Sequence, residues 1–429
     1  MMNRSEFLKS ISALGLLLTA SKLKPVERSA ITDAIVVGGG LSGLYLAYLL
    51  NKSGIPTQVL ESNARLGGRI FTHDEQGKRM DLGGEWFSVK DSDLVSLIKE
   101  MGLTIEYVKK NSKISSESKE IISKLQKLFE TMNSKSKESL AKLNILDYLE
   151  YQGISETDLK LLNTLLRSKY GVDGSSVSTL QVLEDHSKRP IVEEVLGRIK
   201  GGTFQLISRL QESISENSIR LNETVTSLSQ GTGRVSIGLA SGAKLSSSIV
   251  FVTIPPKSFA NFAWTPALPR EKKLAILQTT MGNISKIPFV VNQTYLPSFE
   301  WNDSSLIEEL SQLDVDSNVF ISQAYGEKSQ ALQVAKPEVL EYIVKSSLSS
   351  SNPSVAVDVE KIIKSPFRKS LTYPGAKTVF SLGSSSVKET FRLPFGKIYF
   401  AGDTLGDSTG TMNGAVQSAI QAFNQIGNG

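Results

Sequence analysis

The sequence contains no cysteine, which excludes disulfides, thiolate metal sites and cysteine nucleophiles together. Histidine is almost as scarce. His73 and His186 are the only two, and neither stands with acids at metal-site or triad spacing, so both read as structural and no metal is expected. Charge of one sign is lacking as well: 48 Lys and Arg against 43 Asp and Glu leave +5. Five basic and two acidic residues among the first 28 account for +3 of this, so the remainder carries only +2. No clustered basic and aromatic pattern reverses that balance, and a nucleic-acid partner is not expected. The apolar run Ile11 to Ala20 has ten residues, against the ~20 that a membrane-spanning helix needs. No internal repeat of about 20–50 residues is evident.

What is present is a long chain of 429 residues, 40% hydrophobic and with 33 glycines. It can bury a sizeable core and should form about two interleaved domains. Residues 31–69 carry the strongest pattern. Ile31 to Val37 is a short apolar run suited to a buried parallel strand, and Gly38, Gly40 and Gly43 follow as G-x-G-x-x-G, with Leu41 and Ser42 inside the motif. An amphipathic helical stretch comes next. In such a cradle the first glycine makes the tight turn, the second admits a pyrophosphate, and the third lets helix and strand pack closely. A second strand, Thr57 to Leu60, ends at Glu61, followed by Ser62. Glu61 lies 18 residues after Gly43, near the ~20 expected of an acid that bonds a ribose hydroxyl.

NAD and FAD both use this cradle, and the next residues separate them. Arg65-Leu66-Gly67-Gly68-Arg69 suits a loop folded over a diphosphate, with guanidinium forks such as that of Arg69 on its oxygens. Asp81-Leu82-Gly83-Gly84-Glu85-Trp86 adds a backbone stretch able to lie against a flat ring. With these segments the chain resembles the flavin-containing amine oxidases, the family of monoamine, polyamine and L-amino-acid oxidases. The resemblance implies that Arg69, Gly83, Gly84, Glu85 and Trp86 contact FAD.

The far end of the chain carries the other half of the resemblance. Lys397 to Asp403 reads as a buried strand ending in an acid, and Gly410 to Asn424 as a helix opening at a small-residue turn. A helix start can stabilise the anionic edge of a reduced flavin through its free N–H groups. The segment is similar to the family's C-terminal AGE…GA block, which implies FAD contacts from Asp403, Gly410, Thr411, Met412, Asn413, Gly414 and Ala415. Asp403 stands where the family more usually has Glu, leaving a carboxylate one methylene shorter for the ribityl hydroxyls. Without cysteine there is no cysteinyl bond to the flavin, so FAD is expected to be noncovalent.

Between these blocks, residues 91–200 show helical periodicity, with Leu94, Leu97, Ile98 and Met101 on one face and Ile121, Leu125, Leu128 and Phe129 on another. Leu221 to Val225 opens a strand-rich stretch ending at Pro256. It resembles the family's third FAD-domain segment, in which the residue matching Val225 holds the adenine through its backbone. Lys286, between Ile284 and Pro288-Phe289 on an apolar strand, has two readings: a lysine on the solvent side of an edge strand, or the family lysine that holds water against flavin N5. A desolvated amine in the second role orients that water, or stabilises charge as oxygen reoxidises the flavin. Tyr373 falls where the resemblance places one of two facing aromatic rings before the flavin, and the partner position is Thr411. An intact aromatic cage is therefore not expected, and both residues stand as substrate contacts.

The expected fold is α/β, a discontinuous Rossmann-like FAD-binding domain at 30–90, 200–256 and 386–429. An α+β substrate-binding domain is interleaved with it at 91–199 and 257–385. The reaction implied is transfer of hydride from the α-carbon of a small-molecule amine to flavin N5, imine hydrolysis, and reoxidation by oxygen to give hydrogen peroxide. Two other classes stay open, a flavin desaturase or protoporphyrinogen-type oxidase and a noncatalytic FAD-binding protein. Residues 1–29 read as a targeting segment. Asn3 to Lys9 resembles a twin-arginine export signal with Ser5 in place of the second arginine, which points to export to the periplasm, the alternative being a cytoplasmic protein with an uncleaved N-terminal helix. The sequence is silent on oligomeric state.

Overall fold

The computed structural model describes residues 33–109, 114–187, 191–193, 195–292, 305–314, 317–351, 359–363, 365, 367 and 373–426. The expected targeting segment at 1–29 lies outside these residues. The centre of the molecule is a five-stranded sheet in the order Ile398–Phe400, Ile249–Val252, Ala34–Val37, Thr57–Leu60 and Ile219–Arg220. Every neighbouring pair is parallel, with Val36 opposite both Phe251 and Val59, and Phe251 opposite Tyr399. Its strands come from three distant stretches of chain, so the sheet forms only when segments hundreds of residues apart meet.

The central strands read as unbroken apolar runs because both faces of the sheet are covered. All four residues of Ala34–Val37 and of Ile249–Val252 are buried. Alternation of side chains sends Ala34, Val36, Ile249 and Phe251 to one face, where helices Leu41–Lys52 and Met412–Gln425 pack through Leu44, Leu46, Leu50, Val416 and Phe423. Burial of each such leucine or phenylalanine contributes about 1.5–3 kcal/mol. Ile35, Val37, Val250 and Val252 take the opposite face, against Val225, Leu228, Val235 and Ile237 of a second, four-stranded sheet. The result is an α/β core of helices, parallel sheet and mainly antiparallel sheet.

Two further layers attach to this core. Helices between Ser116 and His186 close on one another around Ile122, Leu125, Leu149, Leu162, Leu166 and Tyr170. Another four-stranded sheet, Glu309–Gln312, Val319–Tyr325, Ile284–Val291 and Val359–Ile362, is backed by helices Gly326–Val334 and Pro337–Ser351. Among the described residues no helix is long and apolar enough to cross a membrane.

The structure moves three sequence boundaries. Helix Ser116–Glu130 buries Ile122 and Leu125, with Ile121 and Phe129 partly buried against the same core, while Leu128, expected on the inner face, is 50% exposed. The C-terminal helix begins at Met412 because Gly410 holds φ +70 and Thr411 is the N-cap. Strand Ile284–Val291 lies between Val319–Tyr325 and Val359–Ile362, but the latter pairs only with Phe289–Val291, so among the described residues Lys286 is paired on one side, with Gln323.

Candidate functional site

The glycine motif is a steric device at the carboxyl end of the central strand. Gly38 has φ +112, and a side chain there would press on Thr253 Oγ1. A Cβ on Gly43 would lie 2.0 Å from the Gly38 carbonyl oxygen, so only a glycine lets the helix start this close to the turn. Gly40 differs: a Cβ there would meet no protein atom within 4 Å, and protein packing gives no reason for its lack of a side chain. It is the N-cap of helix Leu41–Lys52, which has neither a side-chain cap nor an acid in its first turn. Leu41 and Ser42 are buried in that turn, and the helix end offers uncapped N–H donors and partial positive charge to an anion.

Glu61 ends the neighbouring strand, buried, and its Oε2 accepts the Gly39 N–H at 2.7 Å. Its Oε1 accepts from the Asn63 backbone N–H at 2.9 Å, from Asn63 Nδ2 at 2.6 Å and from Ser62 Oγ at 3.3 Å. The Gly67 N–H donates to the Gly39 carbonyl at 2.8 Å, folding the Arg65–Arg69 loop onto the cradle. Val225, expected beside an adenine, is buried and opens strand Val225–Gln230 two residues after Glu223, whose N–H bonds the Glu61 carbonyl at 2.8 Å. Cradle, acid and third segment thus converge on one end of the sheet.

Arg69 and Asp403 are also brought together, but onto each other. Arg69 Nη1 and Nη2 donate to Asp403 Oδ2 at 2.7 Å and Oδ1 at 2.5 Å, and Nη1 reaches the Ala376 carbonyl at 3.0 Å. Burial lowers the Arg69 pKa, but the Asp403 charge and hydrogen bonds more than offset it, and the net shift is upward. Arg69, expected at the diphosphate, and Asp403, expected at the ribityl chain, thus form a bidentate pair that joins the 65–69 loop to the end of strand Ile398–Phe400. The Asp403 backbone carbonyl accepts the Gly410 N–H at 3.0 Å.

The Gly83-Gly84 segment lies over the helix start. A Cβ on Gly84 would sit 3.4 Å from Met412 Sδ, and the Gly84 N–H donates to the Arg69 carbonyl at 3.0 Å. Its entry is anchored by Asp81, whose carboxylate accepts from the Thr203 N–H at 3.0 Å, from Thr203 Oγ1 at 2.8 Å and from Thr72 Oγ1. Burial raises the Asp81 pKa, and those hydrogen bonds oppose the rise. Lys286 reaches this segment from strand Ile284–Val291: its Nζ donates to the Asp81 carbonyl at 2.9 Å and to Glu85 Oε2 at 2.7 Å. With the Lys286 side chain 10% exposed, it points inward rather than to solvent. The indole ring of Trp86 takes the Arg198 guanidinium at 5.8 Å.

At the C-terminal helix start, Thr411 Oγ1 accepts the Gly414 N–H at 3.0 Å and donates to the Ser408 carbonyl at 2.8 Å. Thr411, expected as a substrate contact, uses its hydroxyl to cap its own helix. Asn413 Oδ1 accepts the Leu94 N–H at 3.0 Å, at the start of helix Ser92–Glu100, so its side chain ties two helices together. Ala415 is buried, its N–H on the Thr411 carbonyl at 3.0 Å. Tyr373 stacks on Phe367 at 5.0 Å between centroids. Burial pushes its hydroxyl up to about 12, against the pull of Arg69 and Arg65.

Sequence reading missed a buried polar group beside this turn. The Lys377 stem lies over Gly410, where a Cβ would come within 2.2–2.5 Å of three of its carbons. Lys377 Nζ stands 3.5 Å from Asp185 Oδ2 and 4.2 Å from the Tyr170 ring centroid. Asp185 in turn accepts from Tyr170 Oη at 2.9 Å and from the Thr409 N–H at 3.0 Å. The signal that singled out Lys286, a lysine in an apolar strand, is present again in Lys377-Thr378-Val379-Phe380. His186 is buried at the end of the same helix as Asp185, and His73 pairs with Glu75 at 3.3 Å. Neither joins the site.

Comparison with known proteins agrees with this geometry. The profile of the family described as "Flavin containing amine oxidoreductase" matches residues 41–426. Polyamine oxidase 4 of Oryza sativa subsp. japonica is 23% identical over 425 residues, covering 89% of this chain and 86% of its own. Nicotine dehydrogenase of Pseudomonas putida is 24% identical, covering 68% and 69%. Among solved structures, a putrescine oxidase bound to putrescine superposes with a TM-score of 0.76 at 19% identity, covering 92% of this chain and 98% of that one. Cyclohexylamine oxidase from Brevibacterium oxydans gives 0.77 at 18% identity, covering 93% and 99%.

Proposed function

The chain belongs to the flavin-containing amine oxidoreductases, and from that premise we propose that it is an oxidase of small-molecule amines using noncovalently held FAD. The family carries a flavin, and the residues present fit one: an open glycine turn on an uncapped helix, a buried acid, and a second helix start facing the Gly83-Gly84 backbone. When bound, FAD supplies acceptance of hydride from the amine α-carbon and return of the electrons to oxygen as hydrogen peroxide, the imine hydrolysing in water.

The chain's own residues position and shield. Helix Leu41–Lys52 would hold the diphosphate at its N-terminus, Glu61 the adenosine ribose, and the Val225 backbone the adenine. N–H groups of Thr411, Met412 and Asn413, at the start of the C-terminal helix, would face the pyrimidine edge, where negative charge grows on reduction. The observation that carries the enzymatic reading is Lys286: a basic side chain from strand Ile284–Val291, buried, with its nitrogen on the Asp81–Glu85 segment. It supports a lysine that orients water at the flavin, which a noncatalytic FAD carrier has no need of. No general base is required if a neutral amine gives up hydride, so the lack of a site histidine is no objection.

The test is anaerobic mixing of the purified holoprotein with pools of monoamines, polyamines and amino acids. Bleaching of the flavin, followed by peroxide release on admitting oxygen, is expected with at least one pool. Bleaching without peroxide would make it a dehydrogenase, and no bleaching by any amine would sink the reading. Residues 3–9 and the apolar run after them support export to the periplasm, with cleavage near Ala20. Intact-mass measurement of the protein from its native host checks this, and a full-length cytoplasmic product would refute it.

A further inference from the structure

We propose that Lys377 and Asp185 are a positioning pair that sets the electrostatic potential of the turn before the C-terminal helix, and through it the reduction potential of the flavin. The proposal rests on the reading above, in which the backbone at the start of the C-terminal helix faces the flavin. Both side chains are almost fully buried, at 6% and 1% exposure. They grip the same turn from two sides. Asp185 accepts the Thr409 N–H at 3.0 Å, and the Lys377 stem lies against Gly410. The residue before Lys377 offers its carbonyl to Arg69 at 3.0 Å, the arginine that clamps Asp403.

The elements carrying the pair are themselves locked together. Gln181, on the helix of Asp185, donates to the Thr378 carbonyl at 3.1 Å and accepts the Phe380 N–H at 2.9 Å, bracing the strand that Lys377 opens. Thr378 Oγ1 then meets Thr404 Oγ1 at 2.7 Å, beside Asp403. A lysine and an aspartate this deeply buried screen each other; removing one takes away a counter-charge of the other in a low-dielectric interior. Two-electron reduction adds negative charge to the flavin at this turn. Lys377 without the Asp185 charge would favour that negative charge, and Asp185 without the Lys377 charge would oppose it.

The experiment uses the full-length holoprotein, titrated with a chemical reductant against dyes of known potential. Lys377→Met keeps the apolar stem over Gly410 and should lower the flavin potential by at least about 30 mV, tenfold in the two-electron equilibrium constant. Asp185→Asn keeps an acceptor for the Thr409 N–H and should raise it by a similar amount. The double variant should return close to the parent, and Lys377→Arg should stay there. A merely structural role predicts shifts of one sign, or unchanged potentials with weaker FAD retention, and either result overturns the proposal. If the single variants fail to hold flavin, the double variant decides: recovered flavin with a parental potential supports the pair, and continued loss overturns it. Because the titration needs no amine, a parent that no amine bleaches would sink the proposed function while leaving this measurement readable.

Discussion

Two alanine substitutions in the glycine turn should separate protein packing from ligand approach. In Gly43→Ala the new Cβ would stand 2.0 Å from the Gly38 carbonyl oxygen and 2.7 Å from Thr253 Oγ1, so the helix must withdraw by more than about 1 Å to restore ordinary contact. Overpacking of this kind costs about 1–3 kcal/mol, and the better helix propensity of alanine returns about 1 kcal/mol. The net loss of stability should therefore be small, about 2 kcal/mol or less. The larger effect falls on FAD. The Gly39 N–H, now 2.7 Å from Glu61, and the first-turn N–H groups would be carried out of place, and each hydrogen bond to a charged group contributes about 1.5–3 kcal/mol. Loss of one or two lowers affinity by at least about tenfold. In Gly40→Ala the new Cβ meets no protein atom within 4 Å and the backbone, at φ −80, suits any residue. Apoprotein stability should change by about 1 kcal/mol or less, whereas FAD affinity should fall as steeply as in Gly43→Ala. Thermal unfolding of apoprotein and fluorescence titration with FAD give the two numbers. Parental FAD affinity in Gly40→Ala would refute the assignment of this turn to the diphosphate.

Glu61→Ala should weaken FAD by on the order of 1–3 kcal/mol, the usual worth of a hydrogen bond to a charged group; unchanged affinity in the same titration would remove Glu61 from the site. Acid precipitation of the holoprotein should leave yellow FAD in the supernatant, since no cysteine exists to hold it, and flavin found in the pellet would mean another residue attaches it. Lys286→Met, which keeps the stem and removes the nitrogen, should slow reoxidation of the reduced flavin by oxygen at least ~10-fold, about 1.4 kcal/mol, and slow reduction by amine less. Stopped-flow measurement of the two half-reactions checks this, and parental rates in both would end the water-orienting role.

Local chemistry along the chain determined the cofactor half of the protein. A strand, three glycines, a helix and an acid at the end of the next strand lie within 28 residues, from Ala34 to Glu61, and each acts on its near neighbours. Steric limits at Gly38 and Gly43 and strand–helix–strand order therefore leave a mark that a reader of the sequence can see. The same holds for the C-terminal helix, whose start is set by Gly410 and Thr411. Pairings between distant residues were decided by tertiary structure alone. Arg69 and Asp403 were each legible as cofactor residues, yet nothing local says that two groups 334 positions apart will neutralise each other. Tyr373 was expected before the flavin from its position in the chain, and its stack on Phe367 is a pairing that only the fold discloses. Lys377 stands in an apolar strand as Lys286 does, but nothing beside it in the sequence names Asp185 as its partner. Whether a buried lysine finds a carboxylate depends on which helix packs against which strand, and that is settled by the volumes and faces of many apolar side chains at once, information spread over the whole chain rather than written beside the residues it governs.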